Sequence, residues 1–142
     1  RFKSQSTSFD TYDEFTYEEV TVEGQTLMIR TRESSTTYAT SSAIELKDRV
    51  ILQSWIPLGD IDLRSITVRE TGGRVRLEIE TLDGKKSIRG HMVFTPQDGP
   101  PTEAEAFEKA AILFFDNREI AERVGKAITQ AAKLSGAKAG PF

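Results

Sequence analysis

Hydrophobic positions change their period along this chain. Through the first two thirds they recur at every second position in short runs, and beyond Asp116 they recur at three- and four-residue steps. Period two marks half-buried strands, and a period near 3.6 marks an amphipathic helix. The pattern therefore predicts a mostly β chain of the α+β class, closed by one C-terminal α-helix. Asp116 reads as the helix N-cap, since its carboxylate suits the free N–H groups of a first turn. Glu119 stands at capping-box spacing, and Phe115 and Ile120 stand where a hydrophobic staple would. Ile120, Val124, Ala127, Ile128, Ala131 and Leu134 make one apolar stripe, expected to pack on the sheet, with Glu122, Arg123, Lys126 and Lys133 on other faces. Gly136 follows as the C′ residue.

The strands before it are read from alternation and punctuation. Arg1–Asp10 is polar and Ser/Thr-rich, and residues 1–14 are expected to be an arm or leader. Phe15 and Tyr17 are out of phase with Val20 and Val22, which implies a bulge or strand boundary near Glu18–Glu19. Leu27 and Ile29 give the inward face of a strand ending near Arg32, and Ser34–Ser42 reads as a loop or a ragged edge strand. Ile44 and Leu46 begin another strand, Lys47-Asp48-Arg49 reads as a turn, and Val50, Leu52, Ile56 and Leu58 follow at even spacing. Pro57 marks an edge or exit.

In the middle, Gly72-Gly73 and Asp83-Gly84 are two-residue hairpin signals. A hairpin on Gly72-Gly73 sets Val68 opposite Leu77. A second on Asp83-Gly84 sets Ile79 opposite Ile88 and Arg76 opposite His91. This register buries the aliphatic residues and puts Arg69, Arg76 and His91 side by side on the outward face. Like charges facing one another are mildly destabilising, so the row invites an anion or an acidic partner; equally, the arginines can splay apart or pair with Glu70, Glu78 and Glu80. Thr102 to Phe115 is read as a short helical turn around Glu103–Phe107 and then a strand through Phe115, with a second helix as the alternative.

Composition narrows the class. The 142 residues are 37% hydrophobic and 29% charged, which suits one globular domain, expected over 15–136 with a tail at 137–142. A net charge of −3 argues against a general nucleic-acid binder. No apolar run is long enough for a transmembrane helix. With no cysteine, disulfides, thiol nucleophiles and zinc–thiolate sites are excluded. The chain starts at Arg1 rather than Met, which fits either an extracytoplasmic protein after signal-peptide removal or a cytoplasmic one with a chosen boundary.

The segment Ile56-Pro57-Leu58-Gly59-Asp60-Ile61, followed by Ile66-Thr67-Val68, Leu77-Glu78-Ile79 and Asp83-Gly84, resembles the middle of pleckstrin-homology-like and GRAM-like domains. The ending, with Glu119, Glu122, Arg123, Ala127 and Ile128 on a capped helix, is similar to theirs, and the resemblance runs roughly from Gln25 to Ser135. It implies a bent antiparallel sheet or partly open barrel of about seven strands, capped by the helix, with a binding or scaffolding role more often than a catalytic one. The family's phosphoinositide binding transfers badly, because the matching region offers Arg30-Thr31-Arg32, then Glu33, and no lysine, whereas several phosphates need converging cations.

Trp55, the only tryptophan, is out of phase with its strand; it is either an exposed aromatic contact for a partner or packed against the second face of the sheet or under the helix. His91, the only histidine, has no serine or orienting carboxylate placed beside it by sequence. Asp60/Asp62 and Glu78/Glu80 fall at strand spacing without metal-loop context. No catalytic residue, metal or cofactor is assigned. Two readings follow: a non-catalytic interaction module for a protein or small hydrophobic ligand, or a small hydrolase- or isomerase-like enzyme with carboxylates in a cleft beside the C-terminal helix.

Overall fold

A computed structural model describes residues 2–5, 9–39 and 45–140. Among them the strands are β1 (Phe2–Gln5), β2 (Phe9–Glu23), β3 (Thr26–Ala39), β4 (Glu45–Pro57), β5 (Thr67–Thr71), β6 (Arg74–Glu80), β7 (Ile88–Thr95), β8 (Thr102–Glu108) and β9 (Ala110–Phe115), followed by helix α1 (Arg118–Leu134). Short 3-10 turns occupy Leu58–Asp60, Leu63–Ser65 and Leu82–Gly84. The chain is thus mostly β with one C-terminal helix, as the change of period predicts. The strands form two antiparallel sheets rather than one, ordered β1-β2-β3-β4-β7-β8 and β5-β6-β9. Each sheet keeps two edges, so neither closes into a barrel, and among the described residues nine strands stand where about seven were expected.

The residues gather into two compact units, each made of three segments. One comprises Arg1–Thr21, Met28–Ser54 and Gly90–Ala106; the other comprises Val22–Leu27, Trp55–Arg89 and Phe107–Phe142. Buried apolar residues are divided unevenly between them. Of those described, only Ile29 belongs to the first unit, while Leu27, Ile56, Leu58, Ile61, Val75, Leu77, Ile79, Ile88, Leu113 and three helix residues belong to the second.

The first unit is built mainly from long strands. β2 runs unbroken through Glu18–Glu19, β3 continues through the Ser/Thr-rich stretch to Ala39, and residues 40–42 and Ile44 lie outside the described residues. Lys47-Asp48-Arg49 is strand rather than turn. The Lys47 N–H donates to Gln97 Oε1 and the Gln97 N–H donates to Asp48 Oδ1 at 3.3 Å, so hydrogen bonds to the loop after β7 hold this polar triplet extended. Residues 103–107 form part of β8 and not a helical turn: every residue of β8 is exposed, so no apolar face favours a helix there.

The second unit carries the packed core. β6 is its central strand, with Val75, Leu77 and Ile79 buried on one face. The expected hairpin between β6 and β7 does not form. Asp83 takes φ +57° inside a 3-10 turn, and the Thr81 N–H donates to the Lys109 carbonyl at 2.9 Å, so β9 fills the place beside β6. β9 brings the apolar run Ala111-Ile112-Leu113-Phe114-Phe115, which buries better against Leu77 and Ile79 than Gly90-His91-Met92 would.

Helix α1 starts one residue later than predicted. Asn117, not Asp116, is the cap; its Oδ1 accepts from the N–H groups of Glu119 at 2.7 Å and Ile120 at 3.3 Å. The helix ends in a Schellman motif, with Ala137 N–H on the Ala132 carbonyl and Gly136, at φ +86°, on Lys133. Its buried row is Ala121, Gly125, Ile128 and Ala132, whereas Ile120 and Leu134 of the predicted stripe are 51% and 79% exposed. Small residues decide this. A Cβ on Gly125 would lie 3.3 Å from Leu77 Cδ1, so the helix meets the sheet where its own side chains are shortest. Beyond it, Lys138 forms a parallel bridge with Asp62, whose Oδ1 accepts from the Gly140 N–H at 2.8 Å.

Candidate functional site

The outward face of the β5-β6-β9 sheet gathers the largest share of the predicted site residues. The register of β5 on β6 is the one expected, with Val68 opposite Leu77 and Arg69 opposite Arg76. On the other side of β6, Phe114 faces Arg76 and Ile112 faces Glu78. Alternation turns Val68, Leu77 and Leu113 to one face and Arg69, Arg76, Glu78, Ile112 and Phe114 to the other.

The two facing guanidiniums are held by one carboxylate. Glu78 Oε2 lies 3.3 Å from Arg69 Nε, and Glu78 Oε1 lies 3.0 Å from the Arg76 guanidinium. Arg76 Nε is enclosed and has no hydrogen-bond partner. One turn-ward step along β6, the Arg74 guanidinium sits over the Phe114 ring, 5.1 Å from its centroid. Ile112 beside them is 46% exposed. The face therefore combines three arginines, the shared Glu78 carboxylate, the exposed Glu80 two residues further along β6, and an aromatic–aliphatic pair. Sequence reading missed Arg74, Ile112 and Phe114, because it placed β7 where β9 lies.

His91 is not part of this row. It belongs to β7 in the six-stranded sheet, where its Nε2 lies 3.5 Å from Glu103 Oε2. Trp55 is half-buried, and Arg89 covers its ring at 4.5 Å from the centroid. Arg30 and Arg32 both reach Glu18 on β2, at 3.1 and 3.5 Å, so they form an ion-pair cluster on neighbouring strands.

Three of the four carboxylates singled out by sequence, Asp60, Asp62 and Glu78, are engaged structurally. Asp60 pairs with Lys85 at 3.3 Å. Asp62 caps the 3-10 turn through the Arg64 N–H at 3.0 Å and receives the Gly140 N–H. Among the described residues, no three Asp, Glu or His side chains gather into a metal-sized cluster, and no helix is long and apolar enough to cross a membrane. An open cleft of about 520 Å³ lies between the β5–β6 turn and the start of α1, lined by Glu70, Thr71, Arg74, Asp116, Asn117 and Arg118. Arg118 bridges Glu122 at 3.0 Å and Glu70 at 3.5 Å, and these bonds raise its pKa above the ordinary arginine value.

Comparison of the chain with protein-family models, with curated proteins and with solved structures gives no match.

Proposed function

We propose that this protein is a non-catalytic interaction module that docks a protein partner on the outward face of the β5-β6-β9 sheet. The observation that carries the reading is the sharing of Glu78 between Arg69 and Arg76, beside Arg74 on Phe114. Two guanidiniums on one carboxylate leave positive charge for a further anion, and arginine forks favour planar carboxylates. Exposed Ile112 adjoins them, so the partner is an acidic segment that also carries an apolar side chain. The resemblance to pleckstrin-homology-like domains supports the same class of role.

The second reading, an enzyme with carboxylates beside α1, has the 520 Å³ cleft and its Glu70 and Asp116 in its favour. Against it, Glu70 is already bound by Arg118, and Asp60 and Asp62 serve a lysine pair and a turn cap. A synthetic peptide alternating Glu and Leu, titrated into the labelled protein, tests the choice by amide chemical shifts. Shifts confined to β5, β6 and β9, lost in Arg69→Glu/Arg76→Glu and absent with a Lys–Leu peptide, are expected. No shift, or shifts confined to the turn and the first residues of α1, would overturn the docking face.

A further inference from the structure

Strand β8 ends the six-stranded sheet. Among the described residues it has β7 on one side and no strand on the other. An end strand turns the N–H and C=O groups of alternate residues outward, where they form a template for another chain. Natural sheets blunt such edges with very short strands, an internal proline, a covering element or charge. β8 is seven residues long, contains no proline and is exposed at every position. Charge is the protection it does carry, and charge of one sign discriminates between partners.

That sign is negative. From Asp98 to Ala106 the chain has three acids and no lysine or arginine, and residues 97–106 are exposed throughout. Alternation sets Glu103 and Glu105 on one face of β8 and Thr102, Ala104 and Ala106 on the other. Glu103 keeps 70% of its side chain exposed, although its carboxylate lies 3.5 Å from His91 Nε2.

We propose that residues 102–106 are a docking edge for an extended, basic segment of a partner protein, which joins the sheet as a further strand beside β8. Backbone hydrogen bonds supply affinity in such an addition, and alternate side chains supply specificity. Directly opposite side chains on a ladder stand about 4.5–5.5 Å apart, so a lysine or arginine at every second position of the segment meets Glu103 and Glu105 face to face. On the other face Ala104 and Ala106 are short, which leaves room for larger apolar side chains of the segment. A second copy of the chain fits this edge poorly. An antiparallel two-fold ladder pairs residues of the same face, so a register centred on Glu103, Ala104 or Glu105 sets glutamate against glutamate. The edge is separate from the arginine face of the β5-β6-β9 sheet and takes a segment of the opposite charge.

The test is a titration of the isotope-labelled chain with a blocked peptide as long as β8 that alternates Lys and Val, read by amide chemical shifts and amide exchange. Shifts in residues 102–106 and 90–95 are expected, with exchange slowed at alternate residues of β8. The same peptide N-methylated at every residue keeps its charge and loses its donors, and it should leave those amides unmoved. Glu103→Lys/Glu105→Lys should weaken the Lys–Val peptide by at least about tenfold and allow a Glu–Val peptide to shift the same residues. No shift with the Lys–Val peptide, or equal binding of its N-methylated form, would overturn the docking edge. So would shifts at residues 102–106 that grow with protein concentration in the absence of peptide, since they would assign the edge to a second copy.

Discussion

The contact between Gly125 and Leu77 makes the helix–sheet packing testable by a double-mutant cycle. Leu77 is 0% exposed, and the closest atom to a Cβ built on Gly125 is Leu77 Cδ1 at 3.3 Å, with Ile66 Cγ2 next at 3.7 Å. Leu77→Ala removes a fully buried side chain opposite a residue that has none to offer in its place. The loss should be about 4 kcal/mol, in the upper part of the usual range. Gly125→Ala alone gains about 1 kcal/mol of helix propensity. Pushing the Leu77 side chain aside by a few tenths of an ångström costs about the same, so its net effect should be near zero. In the Leu77→Ala background the crowding is gone, and the new methyl fills part of the void, worth about 0.8 kcal/mol. Propensity enters both backgrounds equally and cancels. The coupling energy should therefore be favourable by about 1.5–2 kcal/mol, well above the ~0.3–0.5 kcal/mol scatter of independent sites. Urea unfolding of the four proteins, followed by far-UV circular dichroism, measures it. Additive effects would refute the claim that α1 meets the sheet at Gly125.

The cap and the division of the core give two further tests. Asn117→Ala should lower stability by about 1 kcal/mol, because two first-turn N–H groups lose their acceptor, while Asp116→Ala should stay within about 0.5 kcal/mol of wild type in thermal unfolding; the reverse order would return the cap to Asp116. Amides of β6 should exchange more slowly than those of β3 beyond Ile29, although each strand has a neighbour on both sides, because the described apolar core lies almost wholly in the unit that holds β6. Equal protection in hydrogen-exchange mass spectrometry would contradict this.

Which residues share a face was legible in the sequence, and which strand lies next to which was not. The β5–β6 register could be deduced because Gly72 and Gly73 both take positive φ, and one turn then aligns Val68 with Leu77. Asp83-Gly84 looks equally good by composition, and both residues do take positive φ. There the turn is a 3-10 segment followed by Lys85–Ser87, and a β9 strand contributed from about thirty residues later competes for the same edge of β6. Alternation is a local property, and this competition is not. The candidate face inherits the difference. Arg69 and Arg76 face one another as the first hairpin required, while His91, which depended on the second, lies on β7 with Glu103.

The helix shows the same limit in another form. Its period marked the apolar arc but not the centre of the buried part, because hydrophobicity weights Ile120 and Leu134 heavily and Ala121, Gly125 and Ala132 lightly. Packing applies the opposite weighting, since close approach between a helix and a sheet needs short side chains. Gly125 at the contact and Leu134 at 79% exposure follow from one rule applied to two faces. The small residues set where the sheet goes, and the larger ones remain beside it.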